Sequence, residues 1–180
     1  MKKYLCAVPL VLLLCFSFAC RDKAAMAELE KYKAQAKLEE QNKELARSFF
    51  AAIDRNDFDK LKELASNDFS LQAPGLEKPW GLDGVIQVIK AHYASFPDWK
   101  HGIEDMVAED DKVAVRLAQE GTHKAPYEGI LPTEKRVIMP AQVLLVIVNG
   151  KVKEFWAIEN YLDFYQQLGM ELKPIETKKK

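Results

Sequence analysis

Glu154, Glu159, Asn160 and His123 are the side chains whose types and positions could hold or move a proton in this chain. Glu154, Trp156, Ile158 and Asn160 share one parity along an alternating run, and Lys153, Phe155, Ala157 and Glu159 share the other. A strand there presents the two sets to opposite sheet faces. If Trp156 faces a concave interior, Ile158 and Asn160 join it, and an indole and an aliphatic wall meet an amide able to orient a ligand carbonyl or hydroxyl. A core tryptophan and a strand-end amide satisfying backbone groups would give the same pattern. An amide cannot take up and return a proton at useful pH. Proton transfer would then fall to Glu159, to Glu154 near the hairpin end, or to His123 beside the Tyr127 loop. The plainer alternatives are a solvated strand-end carboxylate and a surface-loop histidine.

Other chemistries lack their signatures. The chain has no P-loop, no dinucleotide glycine fingerprint, no Gly-x-Ser-x-Gly elbow and no Cys-x-x-Cys. His92, His101 and His123 show no zinc-ligand spacing, so neither a metal nor another cofactor is expected. Without the first 19 residues, 24 bases face 27 acids, a net charge of −3 that leaves no electrostatic footprint for nucleic acid. Lys178-Lys179-Lys180 closes a polar basic tail from residue 171, read as solvated, with lipid headgroups or a partner as the alternative.

Residues 1–19 read as an address. Met1-Lys2-Lys3 is a short positive start, residues 8–18 are apolar except Ser17, and Ala19 precedes Cys20. A run of about 14 apolar residues is short for a bilayer span. The Ala19-Cys20 junction resembles a bacterial lipoprotein signal, departing from the usual pattern at Ser17. That resemblance implies export, cleavage before Cys20, lipidation of Cys20 and a membrane anchor in the cell envelope. Plain secretion with an incidental cysteine is the alternative. Removal of Cys6 and Cys15 with the leader would leave no internal disulfide.

The elements that must position the chemistry follow from periodicity. Residues 23–55 contain no Gly or Pro and favour helix. Residues 20–40 are sparsely apolar and read as a solvated helical stalk. From residue 41 a domain begins, with Leu45, Phe49, Ala52 and Ile53 on one packing face. Asn56-Asp57 breaks the helix, and Asp57 caps a second one carrying Phe58, Leu61 and Leu64. Residues 69–73 alternate as a strand. Residues 74–81 form a loop with Trp80, and Leu82, Val85, Ile86, Ile89, Tyr93 and Phe96 make a helical stripe ended by Pro97. Two hairpins follow: residues 99–108 with 112–122, then 136–148 with 151–160 around Asn149-Gly150, a type I′ turn signal. Helices first and an antiparallel sheet second give an α+β domain with helices over one sheet face. Val143-Leu144-Leu145-Val146-Ile147-Val148 is apolar on both faces, so its second face needs a cover, either a second copy in a dimer or the chain's own N-terminal helix.

Several short motifs in consistent order now join. Glu44-Leu45-Ala46-Arg47-Ser48-Phe49-Phe50, Phe96-Pro97-Asp98, Asp111-Lys112-Val113-Ala114-Val115-Arg116, Gly121-Thr122-His123, Gly129-Ile130-Leu131-Pro132-Thr133, Gly150-Lys151-Val152-Lys153-Glu154-Phe155-Trp156 and Gln166-Gln167-Leu168-Gly169 resemble the SnoaL-like polyketide cyclases, also called ester cyclases. The resemblance spans residues 41–170. It implies a nuclear transport factor 2-like cone, a curved sheet and helices enclosing an apolar pocket, commonly dimeric, that closes a polyketide ring by cofactor-free acid/base aldol chemistry. It also implies an acid/base aspartate four residues after the tryptophan and nine before the final glycine, where this chain has Asn160. With that group absent, the expectation is a tethered module binding a small hydrophobic ligand through Asn160, Trp156 and Ile158, with Trp99, Tyr127 and His123 near the mouth. An enzyme using Glu159, Glu154 or His123 remains the alternative, and presentation of the sheet to another envelope protein a third.

Overall fold

The computed structural model describes the backbone of residues 7–174 and the side chains of residues 23–174. The leader, the Cys20 side chain and the Lys178-Lys179-Lys180 tail fall outside the described side chains. Among the described residues nine elements follow one another: α1 (Ala7–Asp54), α2 (Phe58–Leu64), β1 (Ala65–Gln72), α3 (Leu82–Ser95), β2 (Lys100–Glu109), β3 (Lys112–Thr122), β4 (Arg136–Val148), β5 (Lys151–Glu159) and α4 (Tyr161–Gln167). The chain divides into two units, one ending at Leu38 and the other beginning at Glu39. In the first, the described side chains Met26, Leu29, Tyr32 and Leu38 are all exposed. Among the described residues no helix is long and apolar enough to cross a membrane.

The second unit is α+β. Its five strands lie in the order β1-β5-β4-β3-β2. The two expected hairpins are present, and positive φ at Asn149 (52°) and Gly150 (69°) supplies the turn that the Asn-Gly pair favours. The sheet is mixed and not wholly antiparallel, because β1 pairs with β5 in parallel. A parallel neighbour needs a long crossover, and here everything from α3 to β4 provides it.

One sheet face carries the core. Val113, Val115 and Leu117 of β3, Val143, Leu145 and Ile147 of β4, and Phe155 and Ala157 of β5 are buried against Phe49, Phe50 and Ile53 of α1, Leu61 of α2 and Val85 and Ile86 of α3. Asp57 caps α2 as expected, accepting from Lys60 N at 3.0 Å. A second cluster joins Phe96, Trp99, Val137 and Met139 to Phe164 and Leu168, the buried residues that follow from α4. The short α4 carries too few residues for its period to be evident in the sequence.

The Phe96-Pro97-Asp98 turn ties these clusters together. Asp98 accepts from Thr122 N at 2.6 Å and from Thr122 Oγ1 at 2.8 Å, locking the end of β3 to the segment after α3. Backbone and indole pass so close that a Cβ on Gly121 would sit 2.6 Å from Trp99 Cε3, so only glycine fits there.

β5 sets the faces of the site residues, and it contains a bulge. Val152 pairs with Ile147 and Glu154 with Val146, two residues on β5 against one on β4. Lys153 is the extra residue. Val152 points inward, and beyond Lys153 the parity reverses, so Phe155, Ala157 and Glu159 face the core side while Glu154, Trp156 and Ile158 face out.

Candidate functional site

The inner face of the second unit encloses a cavity of about 540 Å³. Ile53 of α1, the Leu71 and Trp80 bridge, and Val85, Val88 and Ile89 of α3 form its apolar wall. Its polar wall is a band across the sheet. His101 on β2 pairs with Gln119 on β3, Gln119 with Met139 on β4, and Ala141 on β4 with Glu159 on β5. Gln119 Nε2 donates to Glu159 Oε1 at 2.8 Å, and Trp99 Nε1 donates to Gln119 Oε1 at 3.4 Å. The Gln119 amide is thereby fixed, with its donor end on the carboxylate.

Phenols and a histidine complete the polar wall. Burial, then the charges of Glu128 and Glu159, pushes the Tyr127 phenol up to about 12. Tyr161 is 44% exposed as a residue, but loss of hydration at its hydroxyl, then the charge and hydrogen bond of Glu159, raises it too. Burial, then a hydrogen bond to Glu128, raises Tyr165. These phenols keep their protons and remain donors. His92 stacks on Phe96 with ring centroids 4.8 Å apart and meets the edge of Trp99 at 4.4 Å. Burial, then the nearby His101, lowers the His92 imidazole to about 4, so the ring is neutral at physiological pH. Its Nε2 is buried without a hydrogen-bond partner. A ligand oxygen would satisfy it.

At the end of α1, Asp54 Oδ1 lies 2.6 Å from His101 Nδ1 and accepts from His101 N at 3.1 Å and from Tyr93 Oη at 3.2 Å. Burial works to raise Asp54, and the hydrogen bonds and charge of His101 with the Tyr93 bond outweigh it, so the carboxyl lies below its ordinary range.

Trp99, Tyr127 and Glu159 among the expected site residues line this cavity. Trp156 and Ile158 do not. They stand on the outer face at 44% and 66% exposure, because the Lys153 bulge reverses the parity that would have turned them inward. Glu154 shares that outer face and accepts from Trp156 Nε1 at 3.0 Å. Asn160 does not line this cavity. It is the N-cap of α4, its side chain accepting from Asp163 N at 3.3 Å, because the strand has ended at Glu159. His123 is neither at the mouth nor in a surface loop. It is fully buried, stacked on Phe96 at 5.0 Å, with Thr133 N donating to its Nδ1 at 3.3 Å. His92, His101, Asp54, Gln119 and Tyr161 are the site residues that sequence reasoning missed. Parity corrected for the bulge would have found Glu159's face, but nothing local pairs Asp54 with His101. Among the described residues no cluster could hold a metal ion.

The outer face carries a separate apolar groove of about 720 Å³, where Leu144, Trp156, Ile158 and Val107 meet Gln142 and Arg116. It is the second face of the β4 apolar run.

A family model described as SnoaL-like polyketide cyclase matches residues 43–168. No curated protein matches the chain. Among solved structures, wild-type IdmH of Streptomyces antibioticus, described as a putative polyketide cyclase, is 26% identical with a TM-score of 0.68, the match covering 72% of this chain and 99% of that one. AclR of Streptomyces galilaeus, described as a putative hydroxylase, is 26% identical with a TM-score of 0.65, covering 71% of this chain and 95% of that one. A SnoaL-like polyketide cyclase of Agrobacterium tumefaciens shares the fold at 20% identity and a TM-score of 0.60, over 71% of this chain and 98% of that one.

Proposed function

Because this chain belongs to the SnoaL-like polyketide cyclase family, we propose that it binds a small hydrophobic molecule bearing an oxygen function in the inner cavity. The observation that carries this reading is the unpartnered, buried Nε2 of the neutral His92 in a cavity with an apolar wall on one side and a polar band on the other. A buried polar atom without a partner costs about 1–3 kcal/mol, a cost that a ligand oxygen removes. Cavities of roughly 300–1,000 Å³ suit such ligands.

A second reading, cofactor-free acid/base catalysis of the cyclase or isomerase type, is favoured by one observation: the Glu159 carboxylate faces the cavity and the protonated phenols of Tyr127 and Tyr161 stand with it. Phenolic donors placed where an enolate oxygen forms would stabilise it.

The protein is further proposed to be exported and tethered by a lipid on Cys20, to pair as a homodimer across the outer groove, and to have no nucleic-acid partner. Cys20→Ser should move the full-length protein from the membrane to the soluble fraction, and unchanged partitioning would refute the anchor. For the cavity, the probe is 2-tetralone, a bicyclic ketone. It should quench tryptophan fluorescence in the full-length chain, with the response kept in Trp156→Phe and diminished in Trp99→Phe. No quenching, or quenching lost only with Trp156, overturns the inner-cavity reading.

A further inference from the structure

We infer that Asp54 and His101 form a second proton-transfer group in the inner cavity, with His101 Nε2 acting as general base on the carbon acid of an enolisable ketone. The inference rests on the ligand-binding reading of that cavity and adds the class of chemistry done there.

Three observations carry it. First, α1 ends at Asp54, because Asn56 turns the chain with φ of 53°, and the carboxylate is thereby placed at the start of β2. There it takes the His101 backbone N–H and ring Nδ1 together, with Tyr93 Oη as a third donor. Second, with Nδ1 donating to the carboxylate at 2.6 Å, the neutral ring keeps its lone pair on Nε2, the nitrogen on the far side of the ring from Asp54. Third, His101 lines the cavity and its cross-strand partner is Gln119, the residue that holds Glu159. Other titratable groups near the pair are Tyr93, which donates to Asp54, Lys100, whose Nζ donates to the Asp54 carbonyl at 3.4 Å, and His92 of α3, and one ring face is covered by Phe50 at 5.7 Å. A carboxylate whose only role was to close α1 would not require a histidine that lines a cavity.

The step balances without a cofactor. His101 Nε2 removes a proton from the carbon beside the ketone carbonyl. The C–H electron pair becomes the carbon–carbon double bond of the enolate, and the carbonyl π pair moves to oxygen, which a phenolic O–H of the cavity solvates. The imidazolium so formed is stabilised by Asp54 and returns a proton to carbon.

The test is hydrogen–deuterium exchange at the activated carbon of 2-tetralone in D₂O, followed by proton NMR with the full-length chain. The protein should accelerate exchange above buffer. His101→Gln and Asp54→Asn should each lower the accelerated rate by about 10²-fold or more, while the 2-tetralone quenching midpoint holds within about threefold, since a general base contributes about 10²–10⁴-fold and binding is separate. Glu154→Gln, on the outer face, should leave the rate unchanged. Acceleration that survives His101→Gln, or is abolished by Glu159→Gln alone, overturns the inference. A ligand-free arm separates this from failure of the binding reading. Diethyl pyrocarbonate should acylate His101 ahead of His92 and His123, whose Nε2 atoms are buried, and Asp54→Asn should slow that reaction. If 2-tetralone fails to bind yet His101 is acylated first, the binding reading falls and the dyad stands. Acylation of His101 no faster than the other two overturns the dyad.

Discussion

Replacing Asn160 separates a capping role from a site role. Its Oδ1 accepts from Asp163 N at 3.3 Å and its backbone carbonyl accepts from Phe164 N at 3.1 Å, so it closes the first turn of α4 from both sides. That helix anchors Phe164 and Leu168, both buried in the second core cluster. Asn160→Ala removes the side-chain cap and should cost about 1 kcal/mol, within a range of roughly 0.5–2. For a domain of this size that lowers the melting temperature by roughly 2–5 °C. Asn160→Asp should be nearly neutral, because aspartate and asparagine cap equally well. The added charge gains roughly 0.3–1 kcal/mol from the helix dipole and loses a similar amount beside Glu159 and Asp163. Neither variant should change 2-tetralone quenching, and Asn160→Asp should not raise the exchange rate. Thermal unfolding by circular dichroism and the two ligand assays together decide. An alanine variant with unchanged melting but weakened ligand response, or an aspartate variant with new proton-transfer activity, would refute the capping argument and restore position 160 to the site.

Gly121→Ala should destabilise the fold by about 1–3 kcal/mol in urea denaturation, since its Cβ would sit 2.6 Å from Trp99 Cε3 and 3.1 Å from Trp99 Cα. Unchanged stability would mean that the Asp98 turn can yield. Acid should destabilise the protein above the range of its carboxylates: His92 titrates near 4 when folded against 6.5 when unfolded, so between those values the unfolded chain binds the extra proton. Stability is full above about pH 6.5 and falls as pH drops towards 4, by about 2 kcal/mol at pH 5. Denaturation at pH 7.5 and 5 should show this in the unmodified chain and a flatter response in His92→Gln. Ile158→Asp, a 66% exposed position on the outer groove, should convert a homodimer to monomer in light scattering without altering 2-tetralone quenching. A dimer that persists would place the interface elsewhere.

The legible part of the fold was the part with local signatures. Asn149-Gly150 announced the β4–β5 turn, and the stripe from Leu82 to Phe96 announced α3 up to its end before Pro97. The face of β5 was not legible. A bulge at Lys153 has no composition of its own, yet it shifts the phase of every residue after it, so Trp156 and Glu159 exchanged sides. The parallel partnership of β1 with β5 joins Ala65 to Val152, and the Asp54–His101 contact joins residues 47 apart. Both depend on how the sheet curls over the helices, which no window of the sequence contains.

The correction at β5 also changes what the missing aspartate means. Counting from Trp156 and from Gly169 both lead to position 160, and that position is a helix cap where aspartate or asparagine does the same work. An asparagine there removes nothing from the cavity. The cavity's polar groups lie one residue earlier and on other strands and helices: Glu159 held by Gln119, His101 backed by Asp54, and His92 of α3 with a bare nitrogen. A sheet face selected for stability alone would place aliphatic side chains at those positions and keep Trp156 and Ile158 off the solvent-facing side. This chain does the reverse on both faces. The inner face sacrifices stability for polar groups around a cavity, and the outer face exposes apolar surface beside it. Each departure has its own proposed explanation, a ligand within and a partner without, and each can fail in its own assay without the other.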